Sequence, residues 1–333
     1  MQNGVRHWRT TATDGTSVEL ICFDFAQNPA LKFELYDQDE DDAKPLDNVV
    51  DYSPLGAGGA TRKLNARFAA QKKGRVVALW NGLFFGYYNK TRPKNRESIS
   101  ERAGHHVAPV VINGKAHYGP KNHRWSFGVK YANNRPVFKA AHLPTRQWLE
   151  RELDFGGGSA QCLVLNGKPL NVQPAPPVGK RPLKGPVPST PRDAGHIPTF
   201  DHMRTSRMSM AWTRDNSKLF LLAVKEPDNE SASAVAFLRE MPPNAPEHRG
   251  GWTVRDVQRF WLSAMPGEKI WTAINSDGGN AAQMTLLRPD KKYDLLPPRE
   301  VSSAMRLTYT AQFQDAPKGG ALMYFYVRDE SAK

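Results

Sequence analysis

The stretch "INSDGGNAAQMTLL" at residues 274–287 interrupts a strand-like pattern, because Asp277, Gly278 and Gly279 separate two apolar runs. One interpretation is a plain turn, since Asp-Gly is a common hairpin signal. The alternative is a functional site, because glycines let a backbone approach a ligand closely and an aspartate beside them can exchange protons. Features elsewhere in the chain have to separate these two interpretations.

Length and composition indicate a folded globular protein. The chain has 333 residues, of which 39% are hydrophobic and 24% charged, enough for one large domain or two ordinary ones. No apolar run approaches the roughly 18 residues of a membrane span. The N-terminal stretch "MQNGVRHWRTTATDG" has no apolar run after its charges, so no signal peptide is predicted. The chain is expected either to remain in the cytoplasm or to begin after a removed leader.

The net charge of +13 raises the question of a nucleic-acid partner. Basic residues concentrate at 89–98 and 179–186, but aromatic residues do not alternate with them as on single-strand binding surfaces. A solvated basic face, or attraction to an anionic small substrate or envelope polymer, explains the charge equally well. Nucleic acid is therefore not predicted as the main partner.

The cysteines and the paired histidines offer no recognisable metal or nucleophile pattern. Cys22 and Cys162 have no zinc-ligand spacing and lie in apolar stretches, which favours buried free thiols. A bridge between these two cysteines is the alternative for an exported protein. His105 and His106 have no partner at catalytic or ligand spacing in the sequence.

The hydrophobic patterns predict more strands than helices. The alternation of Leu31, Phe33 and Leu35 indicates a half-buried strand, and the acidic run at 37–42 is predicted to be a solvated loop. Other strands are predicted at 17–25, 75–80, 207–224 (a hairpin turning at "RDNS"), 269–279, 282–289 and 321–329, and helices at 61–73 and 253–265. These elements predict an α+β fold with mixed, strand-rich sheets and flanking helices in a single large domain.

The segment 171–200 differs from the rest of the chain in being rich in proline and poor in large apolar residues. Proline supplies no ladder donor, so the segment is expected to be a loop or lid with polyproline character. A plain linker is the alternative interpretation.

Three stretches in a fixed order resemble the phosphodiester glycosidase family, the domain of the mannose 6-phosphate uncovering enzyme and of bacterial homologues. The first motif is "VVALWNGLFF" (76–85), the second "MRTSRMSMAWTRDNSKLFLLAV" (203–224) and the third "WTAINSDGGNAAQMTL" (271–286). The residues that match the family pattern are Asn81, Gly82, Phe84 and Phe85 in the first motif, Arg204 and Thr205 in the second, and Asn275, Asp277, Gly278 and Gly279 in the third. The resemblance covers most of residues 5–329 and implies one domain.

Two positions depart from the family pattern. Leu83 stands where the family usually has a second glycine, and Asn280 where a third glycine often follows Asp-Gly-Gly. The proline-rich segment 171–200 is also longer than usual. These departures bear on the shape of the substrate more than on the fold.

The resemblance implies hydrolysis of a sugar-1-phosphodiester at the bond from sugar to phosphate. A carboxylate can stabilise or attack the anomeric carbon, which makes Asp277 the candidate catalytic carboxylate. A guanidinium suits the phosphate leaving group, which makes Arg204 the candidate clamp. Asn81 and Asn275 are candidates to hold sugar hydroxyls or to orient Asp277 and Arg204. The remaining candidate substrate-binding residues are Gly82, Thr205, Gly278 and Gly279.

Structural roles remain open for each of these residues. Arg204 could form a salt bridge with Asp201, and Asp277 could cap or orient the glycine turn without touching substrate. Asn81 and Gly82 could form only a strand-terminating turn. Phe84 and Phe85 are core residues in one interpretation and a sugar-stacking platform in the other.

Other classes of function also remain open. A catalytically silent carbohydrate-binding or envelope-associated protein is the alternative to an enzyme. No cofactor and no metal are predicted, with Ca²⁺ bound by oxygen ligands near Asp277 as the alternative. A phosphate-linked glycan is the expected partner, and the resemblance suggests an exported or envelope-associated protein.

Overall fold

A computed structural model describes residues 2–13, 15–48, 55–83, 85–89, 102–118, 125–170, 206–225, 251–263, 265, 267–276, 278, 282–296 and 321–332. The proline-rich segment 171–200 and Phe84 lie outside these residues, as does the side chain of Phe85, so their predicted roles stay predictions.

The described residues form eighteen strands and three α-helices. The strands are β1 Val5–Thr11, β2 Ser17–Asp24, β3 Leu31–Asp37, β4 Arg75–Asn81, β5 Phe85–Asn89, β6 Arg102–His106, β7 Val110–Ile112, β8 Lys115–His117, β9 Trp125–Ala132, β10 Arg135–His142, β11 Phe155–Leu165, β12 Lys168–Pro169, β13 Arg207–Thr213, β14 Lys218–Lys225, β15 Ile270–Asn275, β16 Met284–Leu287, β17 Tyr293–Leu296 and β18 Met323–Asp329. The helices are α1 Ala57–Gln71, α2 Arg146–Glu152 and α3 Val254–Ser263, and a short 3-10 helix spans Gln38–Asp41.

The strands make three sheets. The large sheet has eleven strands with the path β1-β2-β14-β13-β15-β11-β7-β8, the middle sheet has the order β17-β16-β4-β18-β3, and β5 pairs with β6. The chain is therefore a mixed, strand-rich α+β domain, as the hydrophobic patterns predict. None of the described helices has the length and apolar character needed to cross a bilayer.

The large and middle sheets pack face to face over an aromatic core. Phe127 of the large sheet lies 5.0 Å from Phe325 of the middle sheet, measured between ring centroids, and Phe23 stacks on Trp80 at 5.9 Å. Such contacts bury large apolar surfaces and stabilise one arrangement of the sheets. The two sheets thus share one continuous core.

Helices cover the outer face of each sheet. Leu64 and Phe68 of α1 pack on the middle sheet, and Val257 and Trp261 of α3 pack on the large sheet. Helix α3 begins as the sequence predicts, because Thr253 Oγ1 accepts the Asp256 N–H at 3.2 Å. The result is four layers, in the order α1, middle sheet, large sheet, α3.

Local predictions based on periodicity are largely confirmed. The strands and the hairpin turning at "RDNS" form as expected, and helix α1 begins four residues earlier than predicted, at Ala57. Cys22 and Cys162 are both buried free thiols. Burial raises the pKa of each thiol, so both remain protonated and unreactive at neutral pH.

The half-buried character predicted for β3 is wrong. Tyr36 is buried on the face that meets α1, and Lys32 is buried with its ammonium donating to Asn134 Oδ1 at 2.7 Å. Glu34 on the same face accepts from Arg328 at 2.7 Å. Alternation identified the core face of this strand, but the helix and the ion pair cover the other face as well.

Candidate active site

The structure describes four of the eight candidate site residues. These are Asn81 and Gly82 in the first motif and Asn275 and Gly278 in the third. The other four lie outside the described residues, namely Arg204, Thr205, Asp277 and Gly279. Their predicted roles are therefore unchanged, and the geometry of the site rests on their described neighbours in the chain.

The first and third motifs meet through backbone contacts. The Gln283 N–H donates to Asn81 Oδ1 at 3.0 Å, and the Asn81 N–H donates to the Gln283 carbonyl oxygen at 3.2 Å. Gln283 is the last residue before β16, so the pair fixes the end of the segment 276–283 that carries Asp277. Both residues are buried, which makes these hydrogen bonds costly to break.

The second and third motifs meet at the start of the same segment. Ser276 donates to the Met208 carbonyl oxygen from both its N–H, at 2.9 Å, and its hydroxyl, at 3.1 Å. A Cβ on Gly278 would lie 2.6 Å from the carbonyl oxygen of Ser206, closer than real Cβ atoms come. Only glycine therefore fits this close approach. Ser206 of the second motif and Gly278 of the third therefore adjoin.

The two candidate asparagines lie in different sheets. Asn275 is on the face of the large sheet that α3 covers, and Asn81 is on the face of the middle sheet that α1 covers. The Asn275 amide donates to Gln161 Oε1 at 3.2 Å, and the neighbouring Ser209 hydroxyl accepts from Trp261 of α3. Asn81 instead holds Gln283, whose side chain accepts the first N–H of α1. Of the two roles predicted for the asparagines, these contacts fit orientation of the segment 276–283.

Gly82 and Leu83 are explained by packing between the sheets. A Cβ on Gly82 would collide with the buried ring of Phe325, so the glycine admits a core side chain. Leu83 is buried, and its Cδ1 occupies the space next to Gly157 that a Cβ there would need, at 2.5 Å. The Leu83 side chain thus fits because Gly157 of β11 has no side chain.

A cluster of buried ionisable side chains lies at the same end of the middle sheet, where the sequence predicted a solvated acidic loop. That prediction is wrong for Asp37 and Asp39, which are fully buried. His106 Nε2 lies 3.0 Å from Asp37 Oδ2, and the Tyr118 hydroxyl donates to Asp39 Oδ2 at 2.6 Å. The rings of His106 and Tyr118 stack at 4.3 Å.

The strand register places this cluster near the first motif. Asp37 is opposite Met323 of β18, and Tyr324 is opposite Asn81 of β4 on the other side of that strand. His106 ends β6, which pairs with the strand that follows the first motif. The absence of a partner for His106 in the sequence was therefore misleading, since Asp37 is 69 positions away. The one available signal was that Asp37 continues the alternation of the core-facing residues of β3.

Burial controls the protonation of the cluster. Burial raises the pKa of Asp39 and, with the charge of Asp37, raises the pKa of Glu40 to about 7. The Tyr118 hydroxyl stays protonated because burial and the neighbouring carboxylates raise its pKa strongly. His106 uses one ring nitrogen on Asp37, and its other ring nitrogen, Nδ1, is buried without a hydrogen-bond partner.

The described part of the chain contains no cluster of side chains suited to binding a metal ion. No group of three or more His, Cys, Asp or Glu side chains among the described residues could hold a metal ion. The oxygen ligands predicted around Asp277 are not covered by this statement, because Asp277 itself is not described.

Comparison with known proteins gives distant structural likenesses. No protein-family model matches the sequence, and no curated protein is significantly similar to it. The chain is similar to the zebrafish N-acetylglucosamine-1-phosphodiester alpha-N-acetylglucosaminidase catalytic domain auto-inhibited by its pro-peptide, with 11% identity, a TM-score of 0.49 and coverage of 98% of this chain and 83% of that one.

Two bacterial structures are similar to a comparable degree. One is a hypothetical protein from Synechocystis, with 10% identity, a TM-score of 0.45 and coverage of 97% of this chain and 62% of that one. The other is a putative exported protein from Burkholderia pseudomallei, with 11% identity, a TM-score of 0.46 and coverage of 94% and 74%. All three TM-scores are below 0.5, so a function has to be argued from this chain's own residues.

Proposed function

We propose that this protein is a phosphodiester glycosidase, a hydrolase that cleaves the bond between a sugar and phosphate in a sugar-1-phosphodiester. The observation that supports this most is the meeting of the three motifs along the segment 276–283. Its start contacts Ser206 and Met208 of the second motif, and its end is held by Asn81 of the first. Residues more than a hundred positions apart thereby contact the segment that carries Asp277, which a plain hairpin turn does not require.

Asp277 is the proposed catalytic carboxylate. The anomeric carbon acquires positive charge as its bond to the phosphate oxygen breaks, and a carboxylate stabilises or attacks that carbon. Water supplies the new hydroxyl on the sugar, and the phosphate leaves with the bridging oxygen. A phosphate monoester has a second pKa of about 6, so it leaves without the full protonation that a sugar alkoxide needs.

Arg204 is the proposed clamp for the departing phosphate. A guanidinium presents two parallel N–H donors, and these match two phosphate oxygens. Thr205, Gly278 and Gly279 are proposed to line the same site. The close approach places Gly278 against Ser206, which is two residues after Arg204 in the chain.

Asn81 and Asn275 are proposed as positioning residues. Asn81 holds one end of the segment 276–283 through Gln283. Asn275, the last residue of β15, precedes the other end and donates to Gln161. The proposed substrate is a phosphate-linked glycan, and the reaction is proposed to need no metal.

The direct test is release of free sugar from a panel of sugar-1-phosphate diesters. We expect turnover by the wild type and a loss of at least a hundredfold in kcat for Asp277→Asn. Asp290→Asn is the matched control, because Asp290 is an exposed carboxylate in the turn between β16 and β17, paired with Arg288 at 3.2 Å. Equal activity of the two variants would remove Asp277 from the mechanism. Binding of the diesters without any turnover would favour the catalytically silent carbohydrate-binding protein.

A further inference from the structure

Helix α1 begins without a capping side chain on its own N-cap residue, unlike the other two helices. Gly56 precedes its first turn and supplies no capping oxygen, whereas Thr145 and Thr253 cap α2 and α3. The first N–H groups of an α-helix have no partner within the helix and carry partial positive charge. In a helix of 15 residues this end is attractive to an anion.

The side chain of Gln283 lies at this helix end with an unused donor. Its Oε1 accepts the Ala57 N–H at 2.7 Å, while Nε2 of the same amide is buried and has no hydrogen-bond partner. Gln283 is 9% exposed, so water does not compensate the missing bond. A buried amide donor without an acceptor costs about 1–3 kcal/mol. Gln283 thus caps the helix through Oε1, while its Nε2 donor remains unused.

Further donors lie within one turn of the helix. The N–H groups of Gly58 and Gly59 make no hydrogen bond to any described residue. A Cβ on Gly58 would meet only the guanidinium of Arg62, at 4.0 Å, so the space beside this glycine is open. Arg62 is exposed and forms no ion pair within the described part of the chain.

We propose that the N-terminus of α1, together with Gln283 and Arg62, is a binding site for a phosphate-type anion. Backbone N–H groups at a helix start and a guanidinium are the donors that proteins use for phosphate. The acidic residue that contacts this helix does not oppose such binding. Asp41 is neutralised by Lys63, at 2.9 Å, and by Arg67, at 2.7 Å.

The site adjoins the segment proposed for catalysis. Gln283 is the residue that Asn81 fixes, so one residue joins the helix end to the segment carrying Asp277. The bound phosphate has two sources, the phosphate of a sugar diester or a free phosphate monoester. Both sources present the same phosphate oxygens to the donors of the site. Binding of the anion does not depend on the proposed hydrolysis.

The test is titration of the full chain with inorganic phosphate at constant ionic strength, followed by calorimetry. Gln283→Glu retains an acceptor for Ala57 and replaces the unused donor by a carboxylate oxygen, so we expect at least a tenfold rise in Kd. Arg62→Gln should raise Kd at least threefold. Lys72→Gln is the control, because it removes one charge at the opposite end of the same helix and should leave Kd within twofold. The melting temperature of each variant confirms that it folds.

Two results would overturn the site: no saturable phosphate binding by the wild type, or equal Kd values for the wild type, Gln283→Glu and Arg62→Gln. Equal weakening by Arg62→Gln and Lys72→Gln would assign the binding to net charge and also overturn it. The titration needs no turnover, so its outcome is separate from that of the hydrolysis assay. In an active preparation, competitive inhibition by phosphate identifies the substrate's phosphate as the ligand, and noncompetitive inhibition identifies a separate anion at the same site.

Discussion

Asn81 and Gln283 hold each other through two hydrogen bonds, although they are 202 positions apart in the sequence. We predict that Asn81→Ala lowers the free energy of unfolding by about 1–3 kcal/mol, because it leaves the buried Gln283 N–H without an acceptor. Urea denaturation measures this change. A loss below about 0.5 kcal/mol would mean that the segment 276–283 is held by other contacts.

Gly82 offers a test of packing at the end of the first motif. Gly82→Ala should destabilise the protein by about 1–3 kcal/mol, because the new methyl group meets the buried ring of Phe325. Gly58→Ala is the matched control for stability, since its methyl group enters open space within a helix and should be neutral or stabilising. Equal effects of the two substitutions on urea denaturation would contradict the packing role of Gly82.

The raised pKa of Glu40 predicts a pH-dependent stability. The folded protein holds a proton at Glu40 up to a pKa of about 7, whereas the ordinary pKa of a glutamate is 4.5. This contribution to stability is complete below about pH 4.5 and is lost as the pH rises through 7. Replacing Glu40 by Gln, which stays neutral, should therefore make the variant progressively more stable than the wild type between pH 4.5 and 8. A shift of this size corresponds to at most about 3 kcal/mol.

Parallel urea denaturation of both proteins across this pH range measures the effect. A difference between the two that does not change with pH would place Glu40 in a solvated position.

Much of the fold could be predicted because its signals are local. The alternation in β3, the apolar run of β4 and the cap at Thr253 depend on neighbouring residues, and each formed where the pattern indicated. The burial of the acidic run was missed because it depends on distant partners. Asp37 contacts His106, 69 positions away, and the Tyr118 hydroxyl that donates to Asp37 lies in a third part of the chain.

The candidate site depends less on local signals. The motifs predict which residues form it, from a resemblance in their order, and the roles of Arg204 and Asp277 stay predictions. Sequence alone could not show that Asn81 accepts the backbone N–H of Gln283, or that Asn275 donates to the side-chain amide of Gln161 in the other sheet. Nor did it indicate Gln283, because this residue precedes a strand and meets the start of α1, 226 positions away, only in the folded chain.

Substitution of Arg204 tests whether its guanidinium binds the phosphate of the substrate. Arg204→Lys should lose about tenfold or more in kcat/KM on a sugar-1-phosphodiester, because an ammonium lacks the planar pair of donors. The loss should nearly vanish on an uncharged aryl glycoside of the same sugar, which has no phosphate to hold. Equal losses on both substrates, together with a large drop in melting temperature, would assign Arg204 to a structural salt bridge.

Hydrolysis in water enriched in ¹⁸O shows whether the enzyme breaks the bond between the anomeric carbon and oxygen. Attack at the sugar leaves the bridging oxygen on the phosphate, so the account predicts that the released phosphate monoester carries no ¹⁸O. Phosphorus NMR reads this from the isotope shift, without interference from oxygen exchange at the free sugar. Incorporation of ¹⁸O into the phosphate would show cleavage at phosphorus and would contradict the account.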